Sequence, residues 1–147
     1  MSAKWTGNGW SCPMTDAGQV REGLGTDVRW YIFRNEPHNR LTLDDGTQYR
    51  IPDDTRHNFG STPWIIQFIR YFRRDRYPWS VTLHDAAYRP EHILWVSRDG
   101  GATWAKEAVT QELADTLLRV GIIAEGGPVW VARAYYRAVR VFGWNNW

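Results

Sequence analysis

Cysteine is almost missing from this chain. Cys12 is the only one, which excludes an intramolecular disulfide and any zinc site built on cysteine pairs, and suits a reducing compartment. Nor does Cys12 have a basic neighbour in sequence that would activate it as a nucleophile. Lysine is nearly as scarce: Lys4 and Lys106 are the only two among 18 cations, so the positive charge is almost all arginine. No apolar run approaches the roughly 20 residues needed to span a bilayer. The opening MSAKWTGNGWSCPMTD also lacks an apolar run of signal-peptide length. The expectation is a chain without membrane insertion. Neither charge sign dominates, and a net charge of +2 does not by itself imply nucleic acid. Glycine-rich phosphate loops and Gly-x-Ser-x-Gly elbows are absent too, as are repeats and low-complexity tracts.

In place of these the chain is rich in indole. Ten of its 147 residues are tryptophan, which is favoured both in cores and as an anchor at interfaces, so some of these rings are expected to contact a partner. The length fits one domain with a real core. Residues 1–27 read as an irregular N-terminal arm, because Gly, Pro, Asp and Thr break every periodicity there, with Trp5 and Trp10 as binding anchors. Residues 28–147 read as a single α+β domain, a small N-terminal antiparallel sheet packed with about four C-terminal helices. A strand is expected over 28–33. Two more, over 40–43 and 48–51, flank Asp44-Asp45-Gly46-Thr47, a hairpin signal. Ser61-Thr62-Pro63 supplies a hydroxyl cap and a proline at the first helical position, predicting a helix over about 63–73. Pro78 opens a short second helix that Pro90 ends. Val109, Leu113, Leu117 and Val120 recur at helical spacing and predict a third from about 106, stopped by Gly121. The fourth covers about 129–142, turning Val131, Ala134, Tyr135, Ala138, Val141 and Phe142 to the core and Arg133, Arg137 and Arg140 elsewhere.

Several short motifs run along this frame in a fixed order. They are Ile51-Pro52, then His57-Asn58-Phe59-Gly60-Ser61-Thr62-Pro63-Trp64, then His84-Asp85-Ala86-Ala87-Tyr88-Arg89, then Ala114-Asp115, and last Tyr136 to Gly143. Order and spacing together resemble the phage and prophage proteins grouped as domain of unknown function 1353, over roughly residues 40 to 147. The resemblance implies a phage setting and brings the His-Asp helix near the later Asp115. Two positions depart from the pattern: Asn58 stands where the family places aspartate, and Trp64 where it places arginine. An amide replaces a carboxylate poorly as ligand or base. Ile93 to Trp104 is also longer than the family's link, and is expected to add a surface hairpin.

His84, Asp85 and Asp115, with His57 or Asn58 as a further group, are the candidate catalytic residues. Imidazole and carboxylates together can hold a divalent metal and activate water, with His84, Asp85 and Asp115 as its ligands. The competing reading is structural: Asp85 pairs with Arg89 four residues on, and His84 shares a face with Val81 and Tyr88 and hydrogen-bonds in the core. Arg70, Arg73, Arg74 and Arg76, among aromatic neighbours and extended by Arg137 and Arg140, form the candidate binding patch. That composition serves nucleic acid, and it serves a protein interface better. Ser97-x-Asp99-x-Gly101-x-Thr103-Trp104 resembles the Asp-box turn of sialidase-type propellers, a structural turn that a single copy cannot make into a propeller. The leading expectation is a non-enzymatic virion or morphogenesis component binding other phage structural proteins, in a symmetric assembly. A metal-dependent hydrolase and an inhibitor of a host protein are the alternatives.

Overall fold

The computed structural model describes residues 1–7, 10–13, 31–34, 39–51, 55–57, 76–143 and 147. In chain order its elements are β1 (Ala3–Thr6), β2 (Trp10–Pro13), β3 (Tyr31–Arg34), β4 (Arg40–Leu43), β5 (Gln48–Arg50), β6 (Thr55–His57), α1 (Pro78–Ala87), β7 (Ile93–Ser97), β8 (Ala105–Ala108), α2 (Gln111–Ala124) and α3 (Val129–Phe142). The fold class is α+β. β1, β4, β5, β7 and β8 form one antiparallel sheet in that order, and β2, β3 and β6 form a second.

Strand alternation divides the larger sheet into two unlike faces. Trp5, Leu41, Leu43, Tyr49, Leu94 and Val96 are buried on one face, where Leu83, Ala86 and Ala87 of α1 and Ala114, Leu117 and Val120 of α2 cover them. The other face carries Lys4, Arg40, Gln48, Arg50, Trp95 and Lys106. The β4–β5 hairpin closes as its Asp-Gly signal predicts: Gly46 takes a φ of +82°, and the Asp45 carboxylate accepts from the Thr47 amide at 2.8 Å.

Helix α2 lies between two apolar clusters. Leu118 and Ile122 turn away from the sheet and meet Val131, Ala132 and Tyr135 of α3, together with Tyr77 and Val81. Thr110 caps α2, its hydroxyl accepting from the Leu113 amide at 3.2 Å. Proline opens α1, as expected. No helix among the described residues is long and apolar enough to cross a membrane.

Four expectations need correction. The sheet is not confined to the N-terminal part, because β7 and β8 extend it from between α1 and α2. The 93–104 segment does make a hairpin with an exposed turn, but its first arm, Ile93–Ser97, is a core strand: Leu94 is fully buried, and β7 pairs with both β5 and β8. Second, residues 3–6 and 10–13 of the supposed irregular arm are strands. Third, three helices are present among the described residues; the one expected over 63–73 lies outside them. α2 starts at Gln111 because β8 occupies 105–108, and it runs through Gly121 to Ala124 before Gly126 turns at a φ of +84°. Gly121 is a packing position, since a Cβ there would lie 2.6 Å from the Ser80 hydroxyl. Fourth, Val141 and Phe142 are exposed, not core. The last turn of α3 instead buries Gly143 against Tyr88, while Arg140, itself exposed, reaches Asp115 from the rim.

Candidate functional site

Four-residue spacing on α1 puts His84 and Tyr88 on one helical face. Helix α2 sets Asp115 opposite them. The His84 Nε2 lies 3.0 Å from Asp115 Oδ1, and since a carboxylate only accepts, the imidazole donates. The Tyr88 hydroxyl donates to the same oxygen at 2.7 Å and accepts from Gln111 Nε2 at 3.2 Å. From α3, Arg140 Nη1 reaches Asp115 Oδ2 at 3.5 Å. Three helices thus converge on one carboxylate that is 0% exposed. Burying a carboxylate costs several kcal/mol unless other groups compensate, and these three donors supply that compensation.

The surroundings tighten this arrangement. The His84 and Tyr88 rings are 4.2 Å apart, and Trp147 packs edge-on against Tyr88 at 4.9 Å while stacking on His92 at 4.1 Å. His92 takes a left-handed φ of +49°, its carbonyl accepting from the Val109 amide at 2.8 Å. Burial, and then the bond to Asp115, pushes the Tyr88 phenol above its ordinary range, so it stays protonated as a donor. Gly143 closes the site: a Cβ there would lie 2.8 Å from the Tyr88 hydroxyl.

Of the expected candidates, then, His84 and Asp115 meet. Asp85 is half-buried, one residue along α1 from the contact. Among the described residues no group of three or more His, Cys, Asp or Glu side chains is placed to hold a metal ion, so His84, Asp85 and Asp115 do not form the expected ligand set. His57 lies in β6, but only its backbone is described; Asn58 lies outside the described residues.

The recognition candidates also divide. Trp5 is no exposed anchor: it is buried against the sheet's helices, its indole donating to the Gly121 carbonyl at 3.2 Å and meeting Trp79 edge-on at 5.7 Å. Trp10 belongs to β2, and its side chain lies outside the description, as do Arg70, Arg73 and Arg74 altogether. Arg76 and Arg137 are exposed. Arg140 is engaged at Asp115.

One contributor was half read and one was missed. Tyr88 was placed on the face of His84 by its four-residue spacing, but its bond to Asp115 was not foreseen. Glu125 had no such signal: from the end of α2 its carboxylate accepts from the Trp79 amide at 2.9 Å and from the Ser80 amide and hydroxyl at 3.1 and 2.5 Å, capping α1 from 45 residues away. Burial raises its carboxyl above the ordinary value, and the bonds from Ser80 and Trp79 oppose that only in part. The Asp-box resemblance is realised at its turn, where Asp99 accepts from the Ser97 hydroxyl at 2.7 Å and from the Thr103 amide and hydroxyl at 2.9 and 2.5 Å. In comparison with known proteins, no family model, curated protein or solved structure matches this chain.

Proposed function

We propose that this chain is a non-enzymatic accessory protein of phage or prophage particles, or of their assembly, acting by binding other proteins. The observation that carries this reading is apolar exposure along α3. Val129 and Trp130 at its start are 51% and 53% exposed, and Val141 and Phe142 at its end are 59% and 58% exposed. Burying such a side chain is worth about 1.5–3 kcal/mol, so a partner that covers them gains substantially. Exposed Arg133 and Arg137 lie between the two apolar ends, and arginine beside aromatic side chains is the composition of interface cores.

The His84–Asp115 assembly supports the same reading from inside. Both Asp115 oxygens are engaged by the chain's own donors, and the pair braces three helices against one another. The phage setting rests on the motif resemblance across residues 40 to 147. Mass spectrometry of purified particles and assembly intermediates tests the proposal: the protein is expected at fixed stoichiometry in one of them. A Val141→Asp and Phe142→Asp variant that keeps its melting temperature is expected to drop out of the assembly. Absence of the unaltered protein from particles and intermediates alike overturns the reading.

A further inference from the structure

The face of the five-stranded sheet opposite the one that α1 and α2 cover has a chemistry that the proposed protein-binding surface on α3 does not use. Strand register aligns Thr6, Arg40, Arg50, Trp95 and Lys106 in one row across all five strands. Lys4 and Gln48 lie two residues along from this row on the same face. The Arg50 guanidinium lies over both Trp95 and Trp104, at 5.0 and 5.2 Å from the ring centroids, and the Lys106 ammonium lies 5.2 Å from Trp95. Cations and indoles therefore interleave over the middle strands, and both indoles are half-buried.

Among the described residues, nothing on the face neutralises this charge. Glu107 is the one acidic residue in the five strands, and it stands in the Leu94 position, on the opposite face, paired with Arg98. Among the described residues, Lys4, Arg40, Arg50 and Lys106 have no carboxylate partner. Arg40 Nε, Arg50 Nε and Gln48 Oε1 also lack any hydrogen-bond partner. Polar atoms withdrawn from water normally find one, so among the described residues these groups are uncompensated, with Arg40 Nη1 and Gln48 Oε1 packed where a Cβ on Gly101 would lie 2.8 and 2.9 Å away.

We propose that this sheet face binds single-stranded nucleic acid. Arg40, Arg50, Lys4 and Lys106 take phosphates, and bases pack beside Trp95 and Trp104. Position favours this occupant over an acidic peptide. A peptide strand adds to a sheet at its edges, through backbone hydrogen bonds. Here the row of side chains runs across all five strands, from Lys4 and Thr6 on the edge strand β1 through Arg40, Arg50 and Trp95 on the inner strands to Lys106 on the edge strand β8, so a ligand that follows it crosses the strands and is read by side chains, whereas an added peptide strand would run along one edge. A strand of phosphates and bases laid across the sheet suits that, and the rigid backbone of a duplex does not.

Fluorescence anisotropy of the full chain with a labelled 20-nucleotide oligo(dT), with the matching duplex and with poly-glutamate competitor tests the proposal. Binding to oligo(dT) is expected to be about tenfold tighter than to the duplex. Four phosphate contacts on a single strand imply about fifty-fold weaker binding between 50 and 200 mM salt. Lys4 and Lys106 are exposed, so Lys4→Ala with Lys106→Ala keeps the fold and is expected to reduce that ratio to about sevenfold, two contacts having gone. Arg133→Ala with Arg137→Ala, on α3, is expected to leave it unchanged. No binding at 50 mM salt, equal affinity for duplex, or loss of binding only in the α3 variant each overturns the proposal. Displacement by poly-glutamate at equal charge concentration overturns it in favour of an acidic protein partner.

Discussion

Asp115 and Asp99 each gather three donors, in opposite settings. Asp115 is buried, and His84, Tyr88 and Arg140 reach it from 31, 27 and 25 residues away. Asp99 is exposed on a hairpin, and all of its donors come from Ser97 and Thr103, at most four residues away. A local set of donors assembles whenever the turn forms. A dispersed set exists only when three helices have docked, so it reports on the whole tertiary arrangement. Donor count alone does not measure what a polar cluster contributes; the distance along the chain over which it is collected matters as much.

Replacing the centre of the dispersed cluster is the strongest way to break this comparison. Asp115→Ala strands His84, Tyr88 and the Arg140 contact together and is expected to cost about 3–5 kcal/mol in urea unfolding. A loss under about 1 kcal/mol would mean that water takes over the donors and that the cluster braces nothing. Tyr88→Phe removes one donor and leaves Gln111 without its acceptor, with an expected cost of about 1–2 kcal/mol. Equal losses for both substitutions would show that Tyr88 carries the cluster and Asp115 merely accompanies it.

The remaining two predictions sharpen the contrast through pH. The buried Glu125 carboxyl is held above its ordinary value of 4.5, chiefly by desolvation. A raised carboxyl contributes its full stability below that ordinary value and loses it as pH rises through the folded-state value. Unfolding measured from pH 4 to pH 7 is expected to show the native chain losing stability relative to Glu125→Gln on the way up; a gain would reverse the sign and refute the burial argument. Asp99 has the opposite sense, because bonds from Thr103 and then Ser97 hold its carboxyl well below 3.8. Its contribution is present above 3.8 and is lost as pH falls toward the folded-state value. The small advantage of the native chain over Asp99→Asn is therefore expected to be constant near neutrality and to shrink only in strong acid.

What could be read from the sequence follows the same division between local and dispersed. The β4–β5 hairpin was legible because Asp-Gly settles its own turn, and α1 because Pro78 is pre-set for a helical start. The hairpin turn at Asp99 was legible for the same reason. β1 was not: four residues in a polar context gain their strand only by pairing with β4, and Trp5 is buried by packing in the core cluster, where its indole finds the Gly121 carbonyl, 116 residues on. β8, Ala-Lys-Glu-Ala, has no strand preference of its own and exists as the return arm of a hairpin. The helical spacing of Val109 with Leu113 and Leu117 was therefore misleading at its first member, which packs in the core just before the helix begins. At the candidate site, His84 and Asp115 were both among the candidates, but in a set with Asp85, and the sequence could not separate ligands from braces. That distinction lay in Tyr88, whose spacing was visible, and in Arg140, whose approach across α3 was not.

Glu125 ties the first exposed amides of one helix to the last turn of the next, so α1 and α2 share a terminus. The start of α1 then has no independent route to fraying, because releasing the Trp79 and Ser80 amides requires the end of α2 to lift away as well. In a fluctuating molecule these two helices open as one cooperative unit, and solvent reaches those amides only at the rate at which the pair separates.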